Sequence, residues 1–383
     1  MLILILDWLR AWLGDGLEKL GPWRVLTYNS VRAALALTLS FGITLLIGPR
    51  VIRWLRALKA GQVIRHSKGV GAVDLSQMHG FKAGTPTMGG LLMMFSLVMP
   101  VFLFCRLSSL HVWLLLAMTI GYGALGFWDD YLKIVKKNHF GVSPRGKLLV
   151  QAGLALVLGM TLTWGDWQVS YVQAPGSTGY PYLLVPLFKN IYYSMGWWYI
   201  PYVMLVLLAT SNAVNLTDGL DGLAIGVSIS SIVAFLFIGY LVSRFDYAKY
   251  LYVPHIRDGG EIVVFLAALL GASLGFLWYN AHPAEVFMGD TGSMMLGGAL
   301  GTTALLLKQE LLLVVIGGVF VMEAASVILQ VGCYKCTRTR LFRMSPLHHH
   351  FEKCGLHESK IIIRFWVVSW ILAMAGIAML KLR

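Results

Sequence analysis

Long unbroken apolar runs, separated by short polar stretches, follow one another along almost the whole chain. Each is close to the ~20 residues that cross a hydrocarbon core at ~1.5 Å per residue. Ten segments of this kind can be marked, at residues 27–48, 87–104, 112–129, 148–164, 198–215, 222–242, 262–280, 293–307, 311–334 and 361–380. The runs are continuous rather than alternating, which predicts helices instead of barrel strands, and lipid obliges each segment to satisfy its own backbone hydrogen bonds. The expected fold is an all-α, polytopic integral membrane helical bundle of about ten transmembrane helices, with residues 24–383 as one transmembrane domain.

Composition agrees: 57% of residues are hydrophobic and only 13% charged, against ~25% charged in soluble domains. Lys and Arg then set the orientation. They concentrate in the stretches after the first, third and ninth segments, among them Arg50, Arg53, Arg56, Lys133, Lys136, Lys137, Arg338, Arg340 and Arg343. That side is cytoplasmic by the positive-inside rule, so both termini are expected to be extracytoplasmic. Residues 1–23 form a separate extension, in which Leu6, Leu9, Leu13, Leu17 and Leu20 recur at helical spacing. An amphipathic helix on the outer surface or a simple tether would both account for it, and Asp7 interrupts the apolar run that a signal peptide needs. The net charge of +13 raises nucleic acid as a partner, but no soluble binding module is present to carry it. Anionic lipid headgroups and an anionic soluble substrate are the partners this charge fits.

Four short polar clusters interrupt the apolar pattern: Asp129-Asp130, Asn215-Leu216-Thr217-Asp218-Gly219-Leu220-Asp221-Gly222, Phe287-Met288-Gly289-Asp290-Thr291-Gly292-Ser293 and His348-His349-His350. Carboxylates beside lipid are costly and point to function. Between one cluster and the next the chain crosses the membrane twice. All four are therefore expected on the cytoplasmic face, gathered in one cleft.

Asn212, Asn215, Asp218 and Asp221 recur every three residues, which on a helix makes one polar stripe. Like charges so placed share a proton, bind a cation or pair with a base; the plain alternative is a helix end capped in water. Gly219 and Gly222 permit local unwinding or close approach of a ligand. Asp129 and Asp130 point ~100° apart on a helix, which predicts one acid in the cleft and another in a supporting or substrate-facing role. Asp290, bracketed by Gly289 and Gly292 at a helix entrance, suits joint capture of phosphate oxygens by backbone N–H groups and a metal. Hard oxygen ligands without a cysteine cage indicate Mg²⁺ or Mn²⁺. Lys82, Lys147 and the histidines can complement phosphate charge, so the set predicts phosphoryl transfer. Cys333-x-x-Cys336 lacks a second paired motif, and neither a zinc site nor a disulfide framework is expected.

Five stretches carry a resemblance: Lys82-Ala83-Gly84-Thr85-Pro86-Thr87-Met88-Gly89-Gly90, Asp129-Asp130-Tyr131-Leu132-Lys133, residues 215–223, Asn280 with residues 287–293, and Pro346-Leu347-His348-His349-His350-Phe351-Glu352. From Tyr28 onward the chain resembles the phospho-N-acetylmuramoyl-pentapeptide transferase family of bacterial cell-wall synthesis, within the wider polyprenyl-phosphate N-acetylhexosamine-1-phosphate transferases. The resemblance implies transfer of phospho-N-acetylmuramoyl-pentapeptide from UDP-N-acetylmuramoyl-pentapeptide to undecaprenyl phosphate, giving lipid I and UMP, with Mg²⁺ required. It also implies an inner-membrane homodimer.

Carried over by the same resemblance, Asp290 would bind Mg²⁺, Asp129 would act on or orient the lipid phosphate with Asp130 beside it, and Asp218 would complete the acidic centre. Lys82, Gly219, Leu220, Asp221 and Phe287 would form a uracil pocket, with Phe287 stacking on the base. Asn215, Asn280, Thr87, Lys147 and His348, His349 and His350 would surround the sugar and diphosphate. Two departures are Pro144, where a small residue is expected, and Glu352-Lys353-Cys354-Gly355 in place of a leucine-containing continuation.

Direct attack by the lipid phosphate is the expected route, because a monoester with a second pKa near ~6 is already nucleophilic at neutral pH. A two-step route through an acyl-phosphate on Asp290 or Asp129 is the alternative. The competing identities are a sister transferase of N-acetylglucosamine-1-phosphate to the same lipid, and an ion-coupled transporter. The first is disfavoured by residues 82–90 and the unbroken triple histidine; the second would place its acids at mid-membrane on broken helices. CDP-alcohol phosphotransferases space their acids four apart, unlike Asp218 and Asp221.

Overall fold

The computed structural model describes residues 25–58, 84–134, 136, 141–165, 167, 169–170, 179–188 and 192–382. The N-terminal extension at residues 1–23 and Lys82 lie outside the described residues. The helices are α1 (Asn29–Ala57), α2 (Gly90–Phe104), α3 (Leu110–Ile134), α4 (Pro144–Trp164), α5 (Tyr199–Thr217), α6 (Leu223–Val242), α7 (Phe245–Leu251), α8 (Gly259–Asn280), α9 (Gly289–Leu306), α10 (Glu310–Ile316), α11 (Gly318–Thr337), α12 (Leu347–Lys353) and α13 (Glu358–Met379). Among the described residues, two short antiparallel pairs accompany them. Val169–Ser170 pairs with His255–Ile256, and Tyr182–Leu184 pairs with Tyr192–Ser194.

Eight of these helices, α1, α3, α4, α5 with the turn before it, α6, α8, α11 and α13, are long and apolar enough to cross a membrane. The chain is thus an all-α, multi-pass membrane protein. Two further predicted segments are the 15-residue α2 and the glycine-rich, 18-residue α9. The segment predicted as one helix over 311–334 is instead broken into α10 and α11 at Gly317. Adjacent Gly317 and Gly318 lower helix propensity there, and such pairs are a common cause of sharp kinks.

Small residues decide how the helices approach. Side chains at Gly271 and Gly275 of α8 would overlap Leu37, Ser40 and Thr44 of α1, and one at Gly48 would overlap Tyr279. This is the close small-residue packing that replaces hydrophobic driving force in lipid. Helix α9 lies at the centre of the bundle, with Gly297 against Ser211 of α5 and Gly298 against Tyr122 of α3.

Buried charges staple the end of the bundle where α9 finishes. Glu261 at the start of α8 receives both terminal nitrogens of Arg32, at 2.7 and 2.9 Å, and the main-chain N–H of Arg106 at 2.8 Å. Lys308, just beyond α9, donates to Glu310 at 2.7 Å, to the Tyr180 carbonyl at 2.9 Å and to the Tyr199 hydroxyl at 3.0 Å. Burial pushes the Lys308 ammonium below the ordinary lysine range, with Glu310 opposing that shift.

Candidate active site

At the opposite end of the bundle the chain reverses helix by helix and brings the polar clusters together. Helix α3 ends there with Asp129 and Asp130, both buried. Helix α9 begins there with Gly289 and Asp290. Helix α4 starts beside them, with Pro144 in the first turn and Ser143 accepting the Gly146 N–H at 3.2 Å. Pro144, a departure from the resemblance, therefore stands at the helix start, where a missing N–H breaks no intrahelical hydrogen bond.

Asp129 and Asp290 face a pair of lysines. Lys133 Nζ lies 2.6 Å from Asp129 Oδ2, one helical turn earlier, and 2.9 Å from Asp290 Oδ2. Lys147 Nζ lies 3.0 Å from the same Asp290 oxygen and 3.6 Å from Asp129 Oδ2. With the Asn215 amide turned so that its oxygen faces the ammonium, it accepts from Lys147 at 3.3 Å and donates to Asp290 Oδ1 at 3.0 Å. Helices α3, α4, α5 and α9 thus each contribute a group to one alternating array of charge. Asp129 Oδ1 is held separately, by the Val142 N–H at 2.6 Å.

Asp130 faces elsewhere, as the ~100° step between neighbours requires. It accepts from the Thr291 N–H at 3.0 Å, the Thr291 hydroxyl at 2.7 Å and the Asp290 N–H at 3.3 Å. It is a helix cap for α9 supplied by another helix. Gly289 makes this possible: its φ is +71°, and an added Cβ would lie 2.7 Å from both Asp130 Oδ2 and Thr87 Oγ1. Thr87 is placed there because the chain before α2 pairs with the chain before α9, Phe287 N donating to Pro86 O at 2.8 Å and Gly89 N to Phe287 O at 2.9 Å.

The turn between α5 and α6 forms a second wall. Asp218 is half-buried at the end of α5, Gly219 is exposed, and Leu220 and Asp221 are buried. Asp221 Oδ2 accepts from the Ala284 N–H at 3.1 Å and meets His282 Nδ1 at 3.2 Å, while the Asp221 N–H donates to Glu358 at 3.0 Å. Asn280 uses both ends of its amide on this wall, accepting from Gly222 N at 3.1 Å and donating to Val286 O at 2.8 Å. Of the histidines, His348 is buried and packs under Gly219, His349 meets Glu352 at 2.6 Å, and His350 accepts from the Arg343 N–H at 3.2 Å.

The structure brings the sequence-predicted clusters together and sets further residues among them. Lys133, counted in the sequence as a cytoplasmic charge and as the end of the Asp129–Lys133 stretch but given no site role, lies four residues after Asp129 and so on the same helix face. Thr291, Ser293, His282, Glu323 and Glu358 were also missed. Thr291 and Ser293 stood within a recognised motif; the other three carried no local signal, since their partners lie far away in the chain.

Two carboxylates facing one another around ammonium groups, with an amide and the Ser293 hydroxyl beside them, form an all-oxygen donor set suited to a hard divalent cation. The lysines supply the positive charge which that set demands. Fold and site together define a multi-pass membrane protein with an acid–lysine centre at one end of the bundle. The Glycosyl transferase family 4 model matches residues 112–308, and the phospho-N-acetylmuramoyl-pentapeptide-transferase signature 1 matches residues 82–92. A phospho-N-acetylmuramoyl-pentapeptide-transferase of Maridesulfovibrio salexigens is 47% identical over 95% of this chain and 97% of its own length. One of Citrifermentans bemidjiense is 48% identical over 94% of this chain and 95% of its own. The chain belongs to the phospho-N-acetylmuramoyl-pentapeptide-transferase family.

Proposed function

We propose that this protein transfers phospho-N-acetylmuramoyl-pentapeptide from its UDP carrier to undecaprenyl phosphate, releasing UMP, in a Mg²⁺-dependent reaction at the cytoplasmic face of the bacterial inner membrane. The observation that carries the reading is the convergence of Lys133 and Lys147 on Asp290 Oδ2, at 2.9 and 3.0 Å, beside Asp129. Such an array suits a reaction in which two phosphate-bearing anions must approach each other. The family and the signature over residues 82–92 support this donor over the glucosamine donor of the sister enzymes.

Asp290, with Asp129 and Asn215 alongside, would hold Mg²⁺, which supplies charge stabilisation to the diphosphate when bound. Lys133 and Lys147 balance the acids and are free to follow the charge of the incoming phosphates. An oxygen of the lipid phosphate attacks the sugar-linked phosphorus; the bond from that phosphorus to the UMP oxygen breaks, and UMP leaves with the electron pair. Both oxygens of Asp129 are engaged, by Lys133 and by Val142 N–H, which blunts it as a covalent nucleophile and favours an orienting role. The Asp218–Asp221 turn, with Phe287 and Lys82, would take the uridine, and the histidines the sugar and diphosphate.

The transporter reading loses ground because the acids of the centre lie at helix ends, away from the break at Gly317. The test is incubation of detergent-purified protein with Mg²⁺, undecaprenyl phosphate and either UDP-N-acetylmuramoyl-pentapeptide or UDP-N-acetylglucosamine. Lipid product from the pentapeptide donor alone, lost with EDTA, is expected. Product only from the glucosamine donor would move the chain's activity to the sister reaction. Exchange of labelled UMP into the donor without lipid phosphate would favour the covalent route.

A further inference from the structure

Glu323 is an acid with no solvent exposure, in the membrane-spanning helix α11. A carboxylate in such a place is costly unless it is paired or fully hydrogen-bonded. Its partners are the residues that open the histidine helix. The Leu347 N–H donates to Glu323 Oε2 at 2.7 Å, and the His348 N–H donates to Oε1 at 3.2 Å. These are the first N–H groups of α12, which have no acceptor within their own helix. Pro346 before them contributes no side-chain cap. The acid that seats α12 therefore comes from 24 residues earlier in the chain.

The same carboxylate also faces the first histidine ring. His348 Nδ1 lies 3.3 Å from Glu323 Oε2, and the ring is 1% exposed. Among the described residues, neither ring nitrogen has a well-aligned hydrogen-bond partner. On its other side the ring abuts Gly219, where any side chain would overlap Nε2. One ring nitrogen thus looks toward a buried acid and the other toward the turn that follows the Asn215 stripe. An acid behind an imidazole fixes its tautomer and aim, the role such carboxylates play behind metal-bound and catalytic histidines.

We propose that Glu323 is a positioning residue for His348: it seats α12 through two main-chain N–H groups and orients the imidazole so that Nε2 is presented beneath the Asp218–Gly219 turn. This rests on the reading that His348 serves the donor's sugar-diphosphate. Glu323 touches no substrate and acts only through the histidine.

The experiment is a double-mutant cycle with Glu323→Gln and His348→Asn, measured in the transferase assay with thermal stability followed in parallel. The Gln variant keeps the size of the side chain but replaces one acceptor oxygen with a donor. Expected is a drop in kcat of about tenfold, the size seen when an outer partner of a functional histidine is removed, with KM for the lipid phosphate unchanged. In the His348→Asn background the same change should add clearly less than that tenfold loss, and Glu323→Asp should recover part of the activity. A Gln variant as active as the parent, or a full additional loss in the His348→Asn background, would overturn the proposal. Parental activity in His348→Asn alone would overturn it through its premise. A parent preparation that makes no lipid product would instead bring down the transferase reading as well.

Discussion

Asp130 takes both the main-chain N–H and the hydroxyl of Thr291, at 3.0 and 2.7 Å, and so ties the end of α3 to the start of α9. The second acid of the Asp129-Asp130 pair is thereby committed to holding Asp290 in place. Asp130→Ala leaves the first N–H groups of α9 and the Thr291 hydroxyl without their acceptor, at a cost of about 1–3 kcal/mol. Thermal melts in detergent should show lower stability, and turnover should fall because Asp290 loses its register. Asp130→Asn should keep more stability than Ala while remaining impaired.

Lys133 spans Asp129 and Asp290. Its replacement by Met keeps the apolar stem and removes the ammonium, so folding should survive while the two acids repel. The expected loss is about 10²-fold in kcat, the scale of removing one group that stabilises transition-state charge. A variant within twofold of the parent would show that Lys133 only balances charge in the resting protein.

Gly289 is constrained twice, by its backbone and by its neighbours. A side chain there would require a left-handed φ and would press on Asp130 and Thr87 together. Gly289→Ala should abolish measurable turnover and lower the melting temperature, whereas Gly153→Ala, where an added Cβ meets nothing within 4 Å, should do neither.

Far from the centre, Arg32→Ala leaves Glu261 buried without its bidentate partner. Breaking such a pair costs about 3–5 kcal/mol. Denaturation should reveal a marked loss of stability, with the activity of the folded fraction unchanged. The reverse outcome would mean that this end of the bundle communicates with the site.

Much of the architecture was legible because lipid imposes one rule on every span: continuous apolar helix. The shared side of the four polar clusters followed from counting crossings, and Asn215 and Asp290 do meet across the α5–α9 interface. The break at Gly317 was not foreseen, because hydropathy reads composition and the apolar run continues through it. The separate fates of Asp129 and Asp130 followed from helical geometry, but not which acid takes which role. That depended on Thr291, whose approach to α3 is set by Gly126, where a side chain would overlap the Asp290 carbonyl. Glu323 was illegible for a similar reason: its meaning lies in N–H groups 24 residues downstream.

The most direct test of the account is lipid-product formation by Asp290→Ala beside the parent, each shown to be folded and supplied with Mg²⁺, undecaprenyl phosphate and UDP-N-acetylmuramoyl-pentapeptide. The account predicts equal release of UMP and lipid product by the parent and none above background by the variant, at any Mg²⁺ concentration. Parental turnover by Asp290→Ala would contradict it, and would remove the acid–lysine centre as the place where the phosphoryl group moves.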